Sequence, residues 1–169
     1  MKRRDFFKNS LFGLSIPSFI FGKSKISRNK NNPLIITTWN YPKANEIALG
    51  LLNNHGNAID AVEAGCRIVE ADEENIYVGI GSLPDENGNV TLDSCVMDSR
   101  GNCGSVAFLQ NIVHPVSVAR KVMDDTKHIM LVGDGAKKFA LSKGFKHKNL
   151  LTKKSSNAWR DWLKDKRNM

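Results

Sequence analysis

The middle of the chain constrains the fold most strongly, because two turn signals flank a strand pattern. Asn87-Gly88 is a typical two-residue hairpin turn, and alternating apolar residues follow it, as expected for a half-buried strand. The alternating residues are Val90, Leu92 and Val96. A second turn at residues 99–102 leads into another strand-like segment, residues 104–108. With a further strand predicted at residues 77–80, the pattern indicates two neighbouring antiparallel hairpins.

Helical patterns precede this region. Pro42 suits the first turn of a helix that is predicted to run to about Asn54, and Asn57 is expected to cap a second helix over residues 58–70. The second helix carries an apolar stripe at offsets of three and four residues, which we expect to face the core. The stripe consists of Ile59, Val62, Cys66 and Val69. A β-branched run at residues 34–38 predicts a short buried strand.

Helices also dominate the region after the hairpins. A helix is predicted over residues 115–123, a strand over residues 128–132, and another helix from Gly133 to a terminating Gly144. The residues of the first of these helices that should face inward are Val118, Ala119 and Val122. A last helix is expected over residues 155–166. This order of elements predicts an α+β layered fold.

The formal net charge of +8 is concentrated in one part of the chain. Residues 1–30 hold eight lysines and arginines and one acid, so the remaining residues carry a net charge of only +1. A nucleic-acid-binding protein needs its positive excess on the folded surface, and this distribution argues against that class. The locally basic stretch 153–169, which includes Trp159 and Trp162, is better explained as a solvated amphipathic helix than as a binding patch.

The first 30 residues are typical of an export signal. A basic start precedes an apolar run at residues 11–21, which is too short to span a bilayer. The pair Arg3-Arg4, followed by Phe6, Phe7 and Lys8, favours the twin-arginine pathway. The alternative is a general secretory signal or an uncleaved anchor that happens to contain two arginines. We therefore predict an export signal and linker at 1–30, a folded part at 31–169, a periplasmic location and no stable membrane anchor.

Single motifs do not identify a chemistry. The three cysteines, Cys66, Cys95 and Cys103, form no metal-binding pattern, and small buried side chains explain them better than a disulfide between the last two across the turn. The four histidines are scattered without ligand spacing. The Gly133-Asp-Gly135 element lacks the other residues of a phosphate loop.

A series of motifs in a fixed order is more specific. The segments ITTWN (36–40), GNAIDAVE (56–63), PDENGNVTLDSCVMD (84–98), HPVSVARKVM (114–123) and HIMLVGDGA (128–136) follow one another across residues 34–165. In this order they resemble the N-terminal nucleophile hydrolases related to glycosylasparaginase. The Pro84-Asp85 pair and the Thr-Trp-Asn element favour glycosylasparaginase over the isoaspartyl peptidases and plant-type asparaginases.

The resemblance implies a fold, a reaction and a partner. The fold would be a four-layer αββα sandwich, of which this chain forms the N-terminal (α-subunit) part. In such enzymes a precursor cuts itself, and the newly exposed terminal threonine attacks the substrate amide with its own amine as the base. The products would be aspartate and a glycosylamine, with no metal or organic cofactor. The partner would be a β half that carries the threonine, in an (αβ)2 assembly.

Trp39 is the one position that the resemblance assigns to the substrate site. It matches the tryptophan that the α subunit contributes to the pocket, where a rigid indole can form an apolar wall. The alternative is that Trp39 belongs to the core. Asp93 and Asp98 also match motif positions, but the hairpin itself explains them, and we assign them no catalytic role.

The nucleophile is where this sequence departs from the family pattern. The family carries a His-Asp-Thr-Ile-Gly-like element after the last helix, and none of the five threonines here lies in such a context. We therefore expect a truncated precursor or the product of a split gene, with no catalytic residue in this chain, no activity alone and a tendency to aggregate. The alternatives are an isoaspartyl peptidase or asparaginase, and a non-catalytic remnant.

Overall fold

The computed structural model describes residues 32–167, so the predicted export signal lies outside the described residues. The elements in chain order are α1 (Pro42–Asn53), α2 (Ala58–Glu70), β1 (Thr91–Met97), β2 (Cys103–Gln110), α3 (Pro115–Asp125), β3 (Met130–Val132), α4 (Gly133–Ser142) and α5 (Lys153–Arg167). The chain is thus a mixed α+β fold, as predicted. All five predicted helices are present, with ends within two or three residues of the expected ones.

The described strands form one three-stranded sheet in the order β1-β2-β3. β1 and β2 are antiparallel, with Thr91 opposite Gln110 and Met97 opposite Cys103, whereas β3 runs parallel to β2. The turn between β1 and β2 is closed by a hydrogen bond from the Asp98 N–H to the Asn102 carbonyl at 2.9 Å. The hairpin predicted around residues 99–102 is therefore confirmed.

The first predicted hairpin is not formed as expected. The Asn87-Gly88 turn exists, because the Gly88 N–H donates to the Asp85 carbonyl at 3.0 Å. Residues 77–80, however, form bends and a turn, so the predicted strand there is wrong. The backbone is bonded elsewhere: the Ile80 N–H donates to the carbonyl of Glu70 at the end of α2. Gly79 has a φ of 70° at this close approach, where a Cβ atom would collide with the Glu70 backbone.

The strand predicted at residues 34–38 is also wrong. The segment is irregular, and Leu34 and Ile36 are 76% and 80% exposed. Within the described residues this segment pairs with no strand. A run of β-branched residues is stabilised as a strand only where a neighbouring strand bonds its backbone groups and packs against its side chains.

The main core lies between the sheet and two helices. Val118, Ala119 and Val122 of α3 are fully buried, which confirms the predicted inward face. They pack with Val106 and Leu109 of β2 and with the buried alanines of α4. α3 lies directly on β2, since a Cβ atom on Gly104 would collide with the Ala119 carbonyl oxygen.

The two N-terminal helices pack through small residues. Ala44 and Ala48 of α1 face Ala61 and Gly65 of α2, and a Cβ atom on Gly65 would lie only 3.1 Å from the Ala44 carbonyl oxygen. The predicted apolar stripe of α2 is therefore only in part a core face: Ile59 packs against the main core, whereas Val62 is 46% exposed. Close helix packing selects small side chains, which contribute little to an apolar pattern.

The cysteines do not behave as small buried side chains. All three are free thiols, and both Cys66 and Cys95 are exposed, so that interpretation is wrong for these two. Cys95 lies opposite Ser105 in the sheet and Cys103 lies opposite Met97, so the two thiols are not directly across from each other.

The last helix is attached to two loops of the middle region. The Trp159 indole N–H donates to the Glu86 carbonyl at 3.4 Å, and a Cβ atom on Gly88 would lie 3.0 Å from the indole ring. Lys154 pairs with Glu74 at 2.6 Å. These contacts, together with the exposed charges of α5, agree with the predicted solvated amphipathic helix.

Candidate functional site

A groove of about 650 Å³ lies between the irregular N-terminal segment, α2 and the beginning of β1. Three of the four residues of the apolar stripe of α2 line this groove. The groove residues from α2 with partly or largely exposed side chains are Val62, Cys66 and Val69. A concave, mostly apolar surface with a few polar groups is the usual form of a small-molecule site.

Trp39, the predicted substrate-site residue, lies in this groove and is 61% exposed. Its carbonyl oxygen accepts hydrogen bonds from the Thr37 hydroxyl at 3.0 Å and from the Tyr41 N–H at 2.9 Å. The Asn45 side-chain amide donates in turn to the Thr37 hydroxyl oxygen at 3.2 Å. The ring is thus not part of the core. Its role in substrate binding stays a prediction.

Tyr77 stacks against Trp39, and the sequence analysis missed it. The ring centroids lie 5.3 Å apart with an angle of 36° between the planes. The Tyr77 N–H donates to the Asn75 side-chain oxygen at 2.8 Å, and Asn75 is itself buried. The sequence analysis missed this residue because it predicted a strand over residues 77–80 and considered Tyr77 only as part of that strand.

A buried carboxylate stands behind the groove. Glu70 is only 5% exposed, and its Oε1 accepts a hydrogen bond from the Val116 N–H at 3.0 Å. Its Oε2 lies 3.1 Å from the His114 Nδ1. Val116 is in the first turn of α3, and Pro115 beside it has no N–H, so the last residue of α2 caps α3. This contact connects the groove wall to the main core.

Two side-chain oxygens in the groove differ in their hydrogen bonding. Asn45 Oδ1 is buried and accepts no hydrogen bond from the described residues. Asp93 Oδ1, in contrast, accepts from the Phe108 N–H at 2.7 Å, at a bulge where Phe108 has a φ of 53°. The sheet therefore uses Asp93 to stabilise a strained residue, which agrees with the structural explanation given for it.

Cys66 is not suited to nucleophilic chemistry. Although Cys66 is open to solvent on one side, the protein around it partly desolvates the thiol and raises its pKa, and the nearby carboxylates of Glu70 and Glu63 raise this pKa further. A thiol reacts as the thiolate, so Cys66 stays in its unreactive form near neutral pH. In the groove it serves as a small polarisable side chain.

Asp98, the other motif aspartate, belongs to the hairpin turn and not to the groove. Hydrogen bonds, led by that of the Asn102 side-chain amide, lower the pKa of Asp98 to about 2. Its Oδ1 accepts from the backbone N–H groups of Arg100 and Asn102 at 2.8 and 3.0 Å. The carboxylate therefore organises the turn.

Residues 32–167 contain neither a candidate metal site nor a membrane-spanning helix. In this part of the chain no group of three or more histidine, cysteine and acidic side chains could hold a metal ion. None of the helices described there is long and apolar enough to cross a membrane.

Comparison with known proteins adds a family and several relatives. The family described as asparaginase (Asparaginase_2) matches residues 17–169. A protein of Elizabethkingia miricola named N(4)-(Beta-N-acetylglucosaminyl)-L-asparaginase is 51% identical over 138 residues, which are 81% of this chain and 41% of that protein. A mouse protein of the same name is 38% identical over 157 residues, 92% of this chain and 45% of its own length. This chain spans less than half the length of these relatives.

Proposed function

The chain belongs to the Asparaginase_2 family of amidohydrolases, and we propose that it is the N-terminal portion of a glycosylasparaginase. The reaction would be hydrolysis of the amide bond between the glycan and the asparagine side chain. The structural observation that carries the proposal is the exposed indole of Trp39 in the groove, at the position that the resemblance assigns to the substrate. The names of the relatives support the choice of substrate.

The described residues would bind and orient the substrate, while another segment of the whole protein would supply the nucleophile. A terminal threonine, freed by self-cleavage, would attack the amide carbon and release the glycosylamine. Water would then hydrolyse the resulting ester and release aspartate. Trp39 would form an apolar wall that excludes water from one side of the reacting amide.

We also propose that the whole protein forms the four-layer αββα sandwich. Within the described residues β1 and β3 are the edge strands of the sheet, and each edge can accept a further strand. Several large apolar side chains of the three strands are exposed. They are Met97, Phe108, Met130 and Val132. Strands of a β half that extended the sheet and a second sheet packed on it would cover this surface.

The activity test compares the full-length protein with a purified segment of residues 33–169. We expect the full-length protein to release aspartate from N-acetylglucosaminyl-asparagine, and the segment alone to release none and to aggregate. Faster release from an isoaspartyl dipeptide would favour the isoaspartyl peptidase alternative. Turnover by the segment alone would contradict the proposal that the nucleophile lies elsewhere.

A variant pair tests the site. In the full-length protein, Trp39→Leu should lower kcat/KM by about tenfold or more, which corresponds to about 1.4 kcal/mol of lost transition-state stabilisation. Trp162→Leu is the matched control, because Trp162 is also an exposed tryptophan but lies on α5, outside the groove. Equal effects of both variants would show that Trp39 has no special role.

Export to the periplasm through the twin-arginine pathway is a further proposal. It is supported by Arg3-Arg4 and the short apolar run after them. Replacing both arginines by lysine should retain the protein in the cytoplasmic fraction, and unchanged export would point to the general secretory route.

A further inference from the structure

The contact between Trp39 and Tyr77 joins two segments that are held in different ways. The backbone around Trp39 belongs to the irregular segment before α1, and its hydrogen bonds come from near neighbours such as Thr37 and Tyr41. Within the described residues no ladder restrains this segment. The direction of the indole ring therefore depends on what its faces touch.

Tyr77, in contrast, stands on a well-supported loop. Its N–H is bonded to Asn75, which is 5% exposed and which also donates from its side chain toward the Val69 carbonyl at 3.4 Å. Two residues further on, Gly79 is pressed against the end of α2, and the Leu83 N–H closes the loop on the Ile76 carbonyl at 3.0 Å. The tyrosine ring is thus presented from a rigid support.

The exposure of Tyr77 needs an explanation beyond packing. The side chain is 64% exposed, and its ring still lies in stacking contact with an indole that is 61% exposed. Two large exposed aromatic rings at 5.3 Å form an attractive pair, worth about 0.5–1.5 kcal/mol beyond burial, without belonging to a core. The pair lies at the groove, where an orientation can matter for a ligand.

From this we infer that Tyr77 is a positioning residue for the reaction: it fixes the Trp39 indole in the orientation that receives the substrate. The inference rests on the proposed function of Trp39. Because Tyr77 acts through the indole, its removal lowers kcat/KM for every substrate that uses Trp39, whatever group is attached to the amide nitrogen. Its phenol oxygen is not required for this, because the stacking is a property of the ring.

The test uses the full-length protein and two substrates, N-acetylglucosaminyl-asparagine and free asparagine. Tyr77→Ala should lower kcat/KM for both substrates by the same factor, about two- to tenfold, as the strength of an aromatic pair implies. Tyr77→Phe should restore the wild-type values. In a Trp39→Leu background, Tyr77→Ala should have no further effect, because its action passes through the indole. Trp162→Leu serves again as the remote control.

A spectroscopic measurement separates the inference from the proposed function. In protein labelled with fluorotryptophan, the fluorine resonance that Trp39→Leu removes should shift in Tyr77→Ala and return in Tyr77→Phe. If the wild-type protein hydrolyses neither substrate but this resonance behaves as described, the proposed function fails while the positioning contact stands.

Three results would overturn the inference. The first is an unchanged Trp39 resonance and unchanged kcat/KM in Tyr77→Ala. The second is a loss confined to the glycosylated substrate, which would make Tyr77 a direct sugar contact. The third is a double variant whose loss equals the product of the two single losses, which would show that the two residues act independently.

Discussion

Replacement of Glu70 by alanine tests how the groove wall is connected to the main core. The Glu70 carboxylate is buried at the end of α2 and accepts from the Val116 N–H at 3.0 Å, so it caps α3 from a distance of 46 residues along the chain. Val116 is 2% exposed, and water cannot easily replace the lost acceptor. A helix cap of this kind also places a negative charge at the positive end of the helix.

The expected loss has two parts. A buried N–H without a partner costs about 1–3 kcal/mol, and the favourable charge at the helix end contributes about 0.3–1 kcal/mol. Part of this is offset because Glu70→Ala no longer buries a carboxylate. We therefore expect Glu70→Ala to destabilise the fold by about 2 kcal/mol. Glu70→Gln keeps an oxygen that can accept from Val116 and should lose about 1 kcal/mol or less.

Hydrogen exchange in the full-length protein measures this locally. The amides of residues 116–119 should lose protection in Glu70→Ala and keep most of it in Glu70→Gln, and urea unfolding should show the same order. Glu74→Ala is the control, because Glu74 is an exposed acid whose pair with Lys154 should be worth under about 1 kcal/mol. The reasoning is refuted if Glu70→Ala costs no more than Glu74→Ala, or if glutamine is as damaging as alanine.

Three further predictions concern the turns and the helix interface. Gly79→Ala should prevent normal folding, because its Cβ would overlap the backbone at the end of α2. The control Gly101→Ala has open space around its Cβ and should lower the free energy of unfolding by only about 1–2 kcal/mol. Soluble yield and urea midpoints measure the difference. The pKa of Asp98 is lowered from 3.8 to about 2 in the folded state, so its contribution to stability is present above about pH 4 and is lost as the pH falls through about 2. Asp98→Asn should therefore be less stable than wild type at neutral pH and as stable as wild type below about pH 2. Unfolding measured across that pH range checks this. Arg120→Met should cost about 1–3 kcal/mol in thermal unfolding, because Arg120 bonds Asp60 at 3.0 Å between α2 and α3, and a control at the exposed Arg100 should change little.

The helices could be predicted from local sequence because their signals are local. Asn57 accepts from the Asp60 N–H at the start of α2, and Pro115 begins α3, as the capping and proline patterns indicate. The inward face of α3 could be predicted too, since its buried residues include the valines that make up its apolar pattern, Val118 and Val122. Along α2 the same method did not identify the face that packs on α1, because Ala61 and Gly65 pack closely there while carrying little apolar surface.

The two false strand predictions and the missed groove residues have a common cause. Whether residues 34–38 or 77–80 form a strand depends on a partner far away in sequence, and a pattern of β-branched or apolar residues does not supply it. Likewise, nothing near Glu70 indicates that its carboxylate caps a helix in another part of the chain. Motif resemblance draws attention to Trp39, whose role in substrate binding stays a prediction, but its stacking on Tyr77 required the three-dimensional structure.

The attachment of α5 has a consequence for synthesis on the ribosome. Its lysines bond acidic side chains 80 residues earlier, Lys154 to Glu74 and Lys166 to Glu86. A nascent chain therefore lacks both ion pairs, and the contact of the Trp159 ring with Gly88, until nearly the whole α5 segment has left the exit tunnel. During that interval the stretch around Glu86 is open to chaperones and proteases, and a stop codon placed before Lys153 would make this vulnerable stage permanent.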